Sequence, residues 1–169
     1  QEALAHCHAE IVDATCPKVL RSERILRKYV DLGYDIVIVG DRGHAEITAL
    51  LSYTGGRGRV VETIDEAREL PRMEKVCVVA QTTFNHERFN EIAQEIVAHA
   101  DESHVADTVC ASTDRRQDDV RRLAEETDAT VVVGGRNSAN TRRLAEISES
   151  LGQPTFLIED PSELDLREL

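Results

Sequence analysis

Short apolar runs alternate along the chain with stretches in which apolar residues recur every three or four positions. EIVDAT and YDIVIVG read as strands, and the segment between them, KVLRSERILRKYVDLG, sets Val19, Leu26, Tyr29 and Val30 on one helical face before a stop at Gly33. This is a β-α-β unit. A short helix near AEITALLSY, the turn TGGRGR, a strand at RVVE, a helix at TIDEAREL stopped by Pro71 and the strand KVCVVA follow. HERFNEIAQEIVAHA then reads as a helix with Phe89, Ile92, Ile96 and Val97 inward. From Asp107 the pattern restarts. It predicts a strand into TVC, a helix over DRRQDDVRRLAEETD, a strand at ATVVVGG, a helix over SANTRRLAEISESLG and a strand at PTFLIED.

The expected architecture is α/β: two small consecutive units, residues 1–106 and 107–169, with mainly parallel sheets. Ile36, Val37, Ile38 and Val39 form an unbroken β-branched run, the signature of a strand buried on both faces, as strands of parallel sheets are. Only 4% of the residues are aromatic while 41% are hydrophobic, so the core must be built from Val, Ile, Leu and Ala.

Charge narrows the possible partners. A formal net charge of −12 argues against nucleic acid, whose phosphates are met by a surplus of Lys and Arg. A small anion stays open, because backbone amides at a helix start attract it locally. No apolar run approaches the roughly 18 residues of a membrane span, and QEALAHCHAE lacks the regions of a signal peptide, so a cytoplasmic protein without a membrane partner is expected. Cys7, Cys16, Cys77 and Cys110 form neither a CxxC pair nor a disulfide scaffold, which leaves metal binding or plain burial.

Polar residues collect where strands end and helices begin, the ligand-binding edge of open α/β sheets. Five such edges stand out: DATCP with Cys16, GDRGHAE with His44 and Glu46, AQTTFN with Thr82 and Thr83, VCAST with Cys110, and GGRNSANT with Asn137, Ser138 and Asn140. Each also has a plain structural explanation. Asn137 or Ser138 suits an N-cap, a threonine of QTTFN suits another, Glu46 favours a helix dipole, and a lone cysteine suits a core. Cys77, inside KVCVVA, reads as a core residue, and Cys7 between His6 and His8 is a weak metal candidate. Cys16 and Cys110 each precede a helix, whose positive end lowers a thiol pKa. Cys110 to Arg116 also satisfies the C-x5-R spacing of cysteine phosphatases, but ASTDR lacks glycine and carries Asp114 where a dianion would sit.

In order, DATCP, GHAE, QTT, CAST-DRRQ and NSANT resemble the 4-hydroxy-3-methylbut-2-enyl diphosphate reductases, the LytB/IspH family of terminal isoprenoid synthesis. The resemblance runs from about residue 11 to about residue 159. It implies a trefoil of three α/β domains around a 4Fe-4S cluster, with one cysteine ligand from each domain. Cys16 and Cys110 match two of those ligands. By the same likeness His44, Ser138 and Asn140 bind the diphosphate, Glu46 relays protons to the leaving hydroxyl, and Thr82 supports the relay and the substrate. A ferredoxin or flavodoxin is the implied electron donor, and the isoprenoid diphosphate is the implied substrate. Two departures stand out: the family's GHPE is Gly43-His44-Ala45-Glu46 here, and its Ser-Ser-Asn is Ser138-Ala139-Asn140. The segments bearing the family's first cysteine, first histidine and late serine loop have no counterpart in this chain. A fragment of a longer polypeptide, inactive alone, is therefore expected, with the third cluster ligand supplied by a missing segment, by Cys7 or by another protomer. The alternative is a degenerate homologue that binds diphosphates or partner proteins without redox chemistry.

Overall fold

A computed structural model describes Val12 and residues 14–165. Helices and strands alternate through them: α1 (Pro17–Asp31), β1 (Asp35–Val39), α2 (Ala45–Ser52), β2 (Gly58–Val61), α3 (Ile64–Arg68), β3 (Met73–Ala80), α4 (His86–Ala98), β4 (Ala100–Ala106), α5 (Ala111–Glu126), β5 (Thr130–Val133), α6 (Ala139–Ser150) and β6 (Thr155–Ile158). The first four strands form a parallel sheet in the order β2-β1-β3-β4, and β5 pairs in parallel with β6. This is the parallel α/β class that the apolar pattern predicts.

The run Ile36-Val37-Ile38-Val39 is fully buried because successive side chains leave the strand on opposite faces and helices cover both. Val37, Val39, Val78 and Ala80 pack with Phe84, Phe89, Ile92 and Ile96 on one face. Ile36, Ile38, Cys77 and Val79 pack with Leu26, Ile47 and Leu50 on the other. Truncating Phe89 to Ala in such a packed layer costs about 3–5 kcal/mol.

Two local expectations are corrected. The strand placed at TVC is not one; the chain there is irregular, and the strand lies earlier, at Ala100–Ala106, where the helix was expected to end. Among the described residues β4 is an edge strand bonded only to β3, so Asp101, Glu102 and Ser103 stay exposed and no apolar run announces it. α5 in turn begins three residues before Asp114, at Ala111. The strand expected at EIVDAT falls largely outside the described residues, as does Cys7; Val12, Ala14 and Thr15 carry no strand.

The sheet order places the site. After β1 the chain moves to β2 on one side and then returns to β3 on the other, so the connections at the carboxyl ends of β1 and β3 diverge. That divergence opens the crevice in which parallel α/β proteins bind ligands. GDRGHAE leaves β1 and AQTTFN leaves β3 at this point.

Candidate functional site

The turn after β1 closes through a hydrogen bond from the His44 amide to the Asp41 carbonyl at 3.1 Å, and Gly43 takes φ +88°, a conformation that disfavours a side chain. His44 then caps α2: its Nδ1 accepts from the Glu46 amide at 3.2 Å. With Nδ1 committed as acceptor, a neutral ring carries its proton on Nε2 and presents a donor.

Glu46 reaches across to the loop after β3. Thr82 donates its amide to Oε1 at 2.9 Å and its hydroxyl to Oε2 at 2.8 Å, so both carboxylate oxygens are held by one residue. The Thr82 carbonyl in turn accepts from the Cys110 amide at 2.8 Å. His44, Glu46, Thr82 and Cys110 thus form one hydrogen-bonded series around the crevice.

Thr108 sets the position of Cys110. The β3–β4 ladder ends at the pair Val79 and Ala106, and Thr108 continues it with its side chain. Its hydroxyl donates to the Ala80 carbonyl at 2.6 Å and accepts from the Ala80 amide at 2.8 Å. Cys110 is half-buried at the N-cap of α5, with Sγ 3.0 Å from Ser112 Oγ. That hydroxyl chiefly, and then the Ser112 and Thr113 amides, hold its thiol below the ordinary pKa against the opposing effect of partial burial. Burial instead pushes the Cys77 thiol up to about 12, as a core cysteine requires. Cys16 is exposed at the start of α1, ahead of Pro17, and its thiol caps nothing. Among the described residues no three or more His, Cys, Asp or Glu side chains converge in a metal-holding group. Cys16 and Cys110 belong to no such group.

Ser138 is the N-cap of α6 and accepts from the Thr141 amide at 3.3 Å. Asn140 Oδ1 is buried with no hydrogen-bond partner, the kind of orphan that a ligand relieves. A cleft of about 340 Å³ joins this turn to the one after β1, lined by Asp41, Arg42, His44, Asn137 and Arg142 among others. Within a protein of net charge −12, two arginines and a histidine therefore share one cleft. Arg42 is engaged by Glu66 at 2.8 Å, whereas among the described residues the guanidinium of Arg142 meets only the Arg136 carbonyl, at 3.4 Å.

Sequence reasoning missed Arg142 and a polar network beneath the cleft. The Asp41 amide donates to Gln81 Oε1 at 2.7 Å, and Gln81 Nε2 donates to Thr83 Oγ1 at 2.8 Å. Gly40 makes room for this: a Cβ there would lie 2.7 Å from Gln81 Oε1. From the second sheet's side, Arg143 donates to Asp41 at 3.0 Å. Gln81 stands within the QTT motif, so its place was visible and its role was not. Arg143 sits in an ordinary helical pattern that gives no sign of burial.

Fold and site together define a parallel α/β protein whose polar groups gather at the carboxyl ends of its strands. The LytB protein family model matches residues 1–169. The chain belongs to the LytB family. It is 43% identical over 156 residues to 4-hydroxy-3-methylbut-2-enyl diphosphate reductase of Geobacter sulfurreducens, covering 92% of this chain and 55% of that protein. The reductase of the same name from Aquifex aeolicus is 40% identical over 167 residues, 97% of this chain and 58% of its own length. The chain thus spans little more than half of these relatives. A solved structure of (E)-4-hydroxy-3-methyl-but-2-enyl diphosphate reductase, the terminal enzyme of the non-mevalonate pathway, matches with TM-score 0.62 and 39% identity over 99% of this chain and 60% of that one. The E-1-hydroxy-2-methyl-but-2-enyl-4-diphosphate reductase of Plasmodium falciparum matches with TM-score 0.83 and 26% identity over 92% of this chain and 50% of that one.

Proposed function

We propose that the polypeptide carrying this chain is an iron-sulfur reductase that removes the hydroxyl of 4-hydroxy-3-methylbut-2-enyl diphosphate to give isopentenyl and dimethylallyl diphosphates. The observation that carries the reading is the series Glu46–Thr82–Cys110 across the crevice between β1 and β3. It joins the Glu46 carboxyl group to a low-pKa thiol in a family whose members named above are such reductases.

The reaction consumes two electrons and two protons: a C–O bond breaks, the hydroxyl leaves as water and a C–H bond forms. Glu46 is the proton donor to the departing oxygen, and Thr82, bonded to both of its oxygens, fixes its direction and extends the path. His44 offers Nε2–H to the diphosphate, Ser138 adds its hydroxyl at the start of α6, and the half-buried Asn140, its amide turned to place the NH2 where the buried Oδ1 lies, meets a phosphate oxygen. Arg142 adds a positive charge on the wall of the cleft.

A 4Fe-4S cluster, when bound, supplies the electrons and an iron for the substrate hydroxyl. Cys110 fits thiolate ligation by its depressed pKa and helix-start position, and Cys16 by its free, exposed thiol. The third cysteine ligand comes from outside this pair. The division into units 1–106 and 107–169, a ferredoxin or flavodoxin-type donor and a cytoplasmic setting complete the proposal; among the described residues no helix is long and apolar enough to cross a membrane. A degenerate, non-redox homologue is not favoured, because the relatives named above are all reductases.

Anaerobic purification of the complete polypeptide tests this reading. Its broad visible iron-sulfur absorption is expected to vanish in Cys16→Ser and in Cys110→Ser and to persist in Cys77→Ser. Equal loss in all three variants, or no absorption in the wild type, overturns it.

A further inference from the structure

We propose that the ion pair between Asp41 and Arg143 is a positioning device that fixes the spacing of the His44 turn and the Ser138 turn so that both grip one diphosphate. The proposal rests on the function proposed above and adds two residues that touch no substrate.

Arg143 lies on α6, five residues beyond the cap Ser138, and its side chain is only 8% exposed. A guanidinium withdrawn from water is costly unless its charge is paired. One terminal nitrogen donates to Asp41 Oδ1 at 3.0 Å, the other to Glu146 Oε2 at 2.6 Å, and the group lies 5.1 Å from the centre of the buried Phe84 ring. Those contacts pair the charge inside the protein, while Nε is buried without a hydrogen-bond partner among the described residues. Arg142, the next residue, faces the cleft instead.

Asp41 is held just as firmly from the other side. Gln81, fully buried, accepts from the Asp41 amide at 2.7 Å, donates to its Oδ2 at 3.3 Å and is itself anchored to the Val39 carbonyl at 2.8 Å. The Asp41 carbonyl closes the turn that carries His44. One residue therefore bonds, through its main chain, to the first candidate phosphate turn and, through its carboxylate, to the helix that begins with the second. The two partners are 102 positions apart in the chain.

Charge gives the pair a second consequence. Asp41 lines the cleft that His44 and Asn137 share, and an unpaired carboxylate there would repel a diphosphate. Arg143 neutralises it from behind while leaving the cleft open. Loss of Arg143 frees the helix and uncovers the negative charge, and both effects fall on substrate binding rather than on proton transfer at Glu46.

The test is a double-mutant cycle in the complete, cluster-loaded polypeptide, with Arg143→Met, Asp41→Asn, both together, and Arg143→Lys as the charge-conserving control. Arg143→Met is expected to raise KM for the diphosphate substrate about 10-fold while kcat changes less than about threefold, the pattern of lost binding without lost chemistry. Asp41→Asn should raise KM at least about threefold, and the double variant should be no worse than Arg143→Met, because both changes break one interaction. Arg143→Lys should recover most of the affinity. Should Arg143→Met fail to fold, the partly exposed and isosteric Asp41→Asn decides. KM within about twofold of wild type in the single variants, multiplicative effects in the cycle, or a fall confined to kcat overturns the proposal. Such results in an active enzyme leave the reductase reading standing. An inactive wild type removes both.

Discussion

Cysteine chemistry at single positions separates the roles most sharply. Cys77 was legible from its place inside an apolar strand, and the structure buries it with a thiol pushed up to about 12. Cys110 was legible as a helix-start thiol, but the Ser112 hydroxyl that does most to lower its pKa was not, because a Cys-x-Ser spacing is too common to read. A lowered pKa means a larger thiolate fraction at any pH below the ordinary thiol value. In cluster-free protein, alkylation of Cys110 by iodoacetamide should therefore set in at lower pH than for a free thiol. Ser112→Ala should move that onset upward, and Cys77 should stay unmodified until the protein unfolds. Mass spectrometry of the labelled peptides reads all three; native-state labelling of Cys77 as fast as Cys110 contradicts the assignment. His44 shows a different limit of sequence. Its histidine and glutamate were visible two apart, yet that Nδ1 caps the helix, leaving Nε2 as the outward donor, is a fact of geometry alone.

Among the elements, the central strands and the helices covering them were readable because burial on both faces demands continuous apolar residues. β4 was not, because an edge strand needs no such run, and its exposed Asp101-Glu102-Ser103 resembles the tail of a helix. What closes the sheet at that edge is Thr108, whose hydroxyl serves both the amide and the carbonyl of Ala80 in a buried position. Thr108→Val keeps the shape and strands two main-chain groups, so it should cost about 1–3 kcal/mol of unfolding free energy in a urea titration. It should also reduce cluster retention, since Cys110 lies two residues on. A Thr108→Val protein as stable as wild type would show that the loop is held by other contacts.

For the whole molecule, three of the strand-end motifs, GDRGHAE, AQTTFN and VCAST, meet through hydrogen bonds, and the sheet order explains the first pair: β1 lies between β2 and β3, so GDRGHAE and AQTTFN leave the sheet at its point of divergence. The network from Gln81 through Asp41 to Arg143 was beyond reach, because a buried arginine in a helix has the same sequence signature as an exposed one. In the proposed reductase Glu46, fixed by Thr82, delivers the proton to the leaving hydroxyl. The most direct test is turnover of 4-hydroxy-3-methylbut-2-enyl diphosphate by the complete polypeptide with a chemically reduced dye, wild type against Glu46→Gln. Glutamine preserves the shape and removes the transferable proton. The account predicts that the variant keeps its cluster absorption and substrate affinity while kcat falls by about 100-fold or more. Wild-type kcat in the Glu46→Gln variant would contradict it.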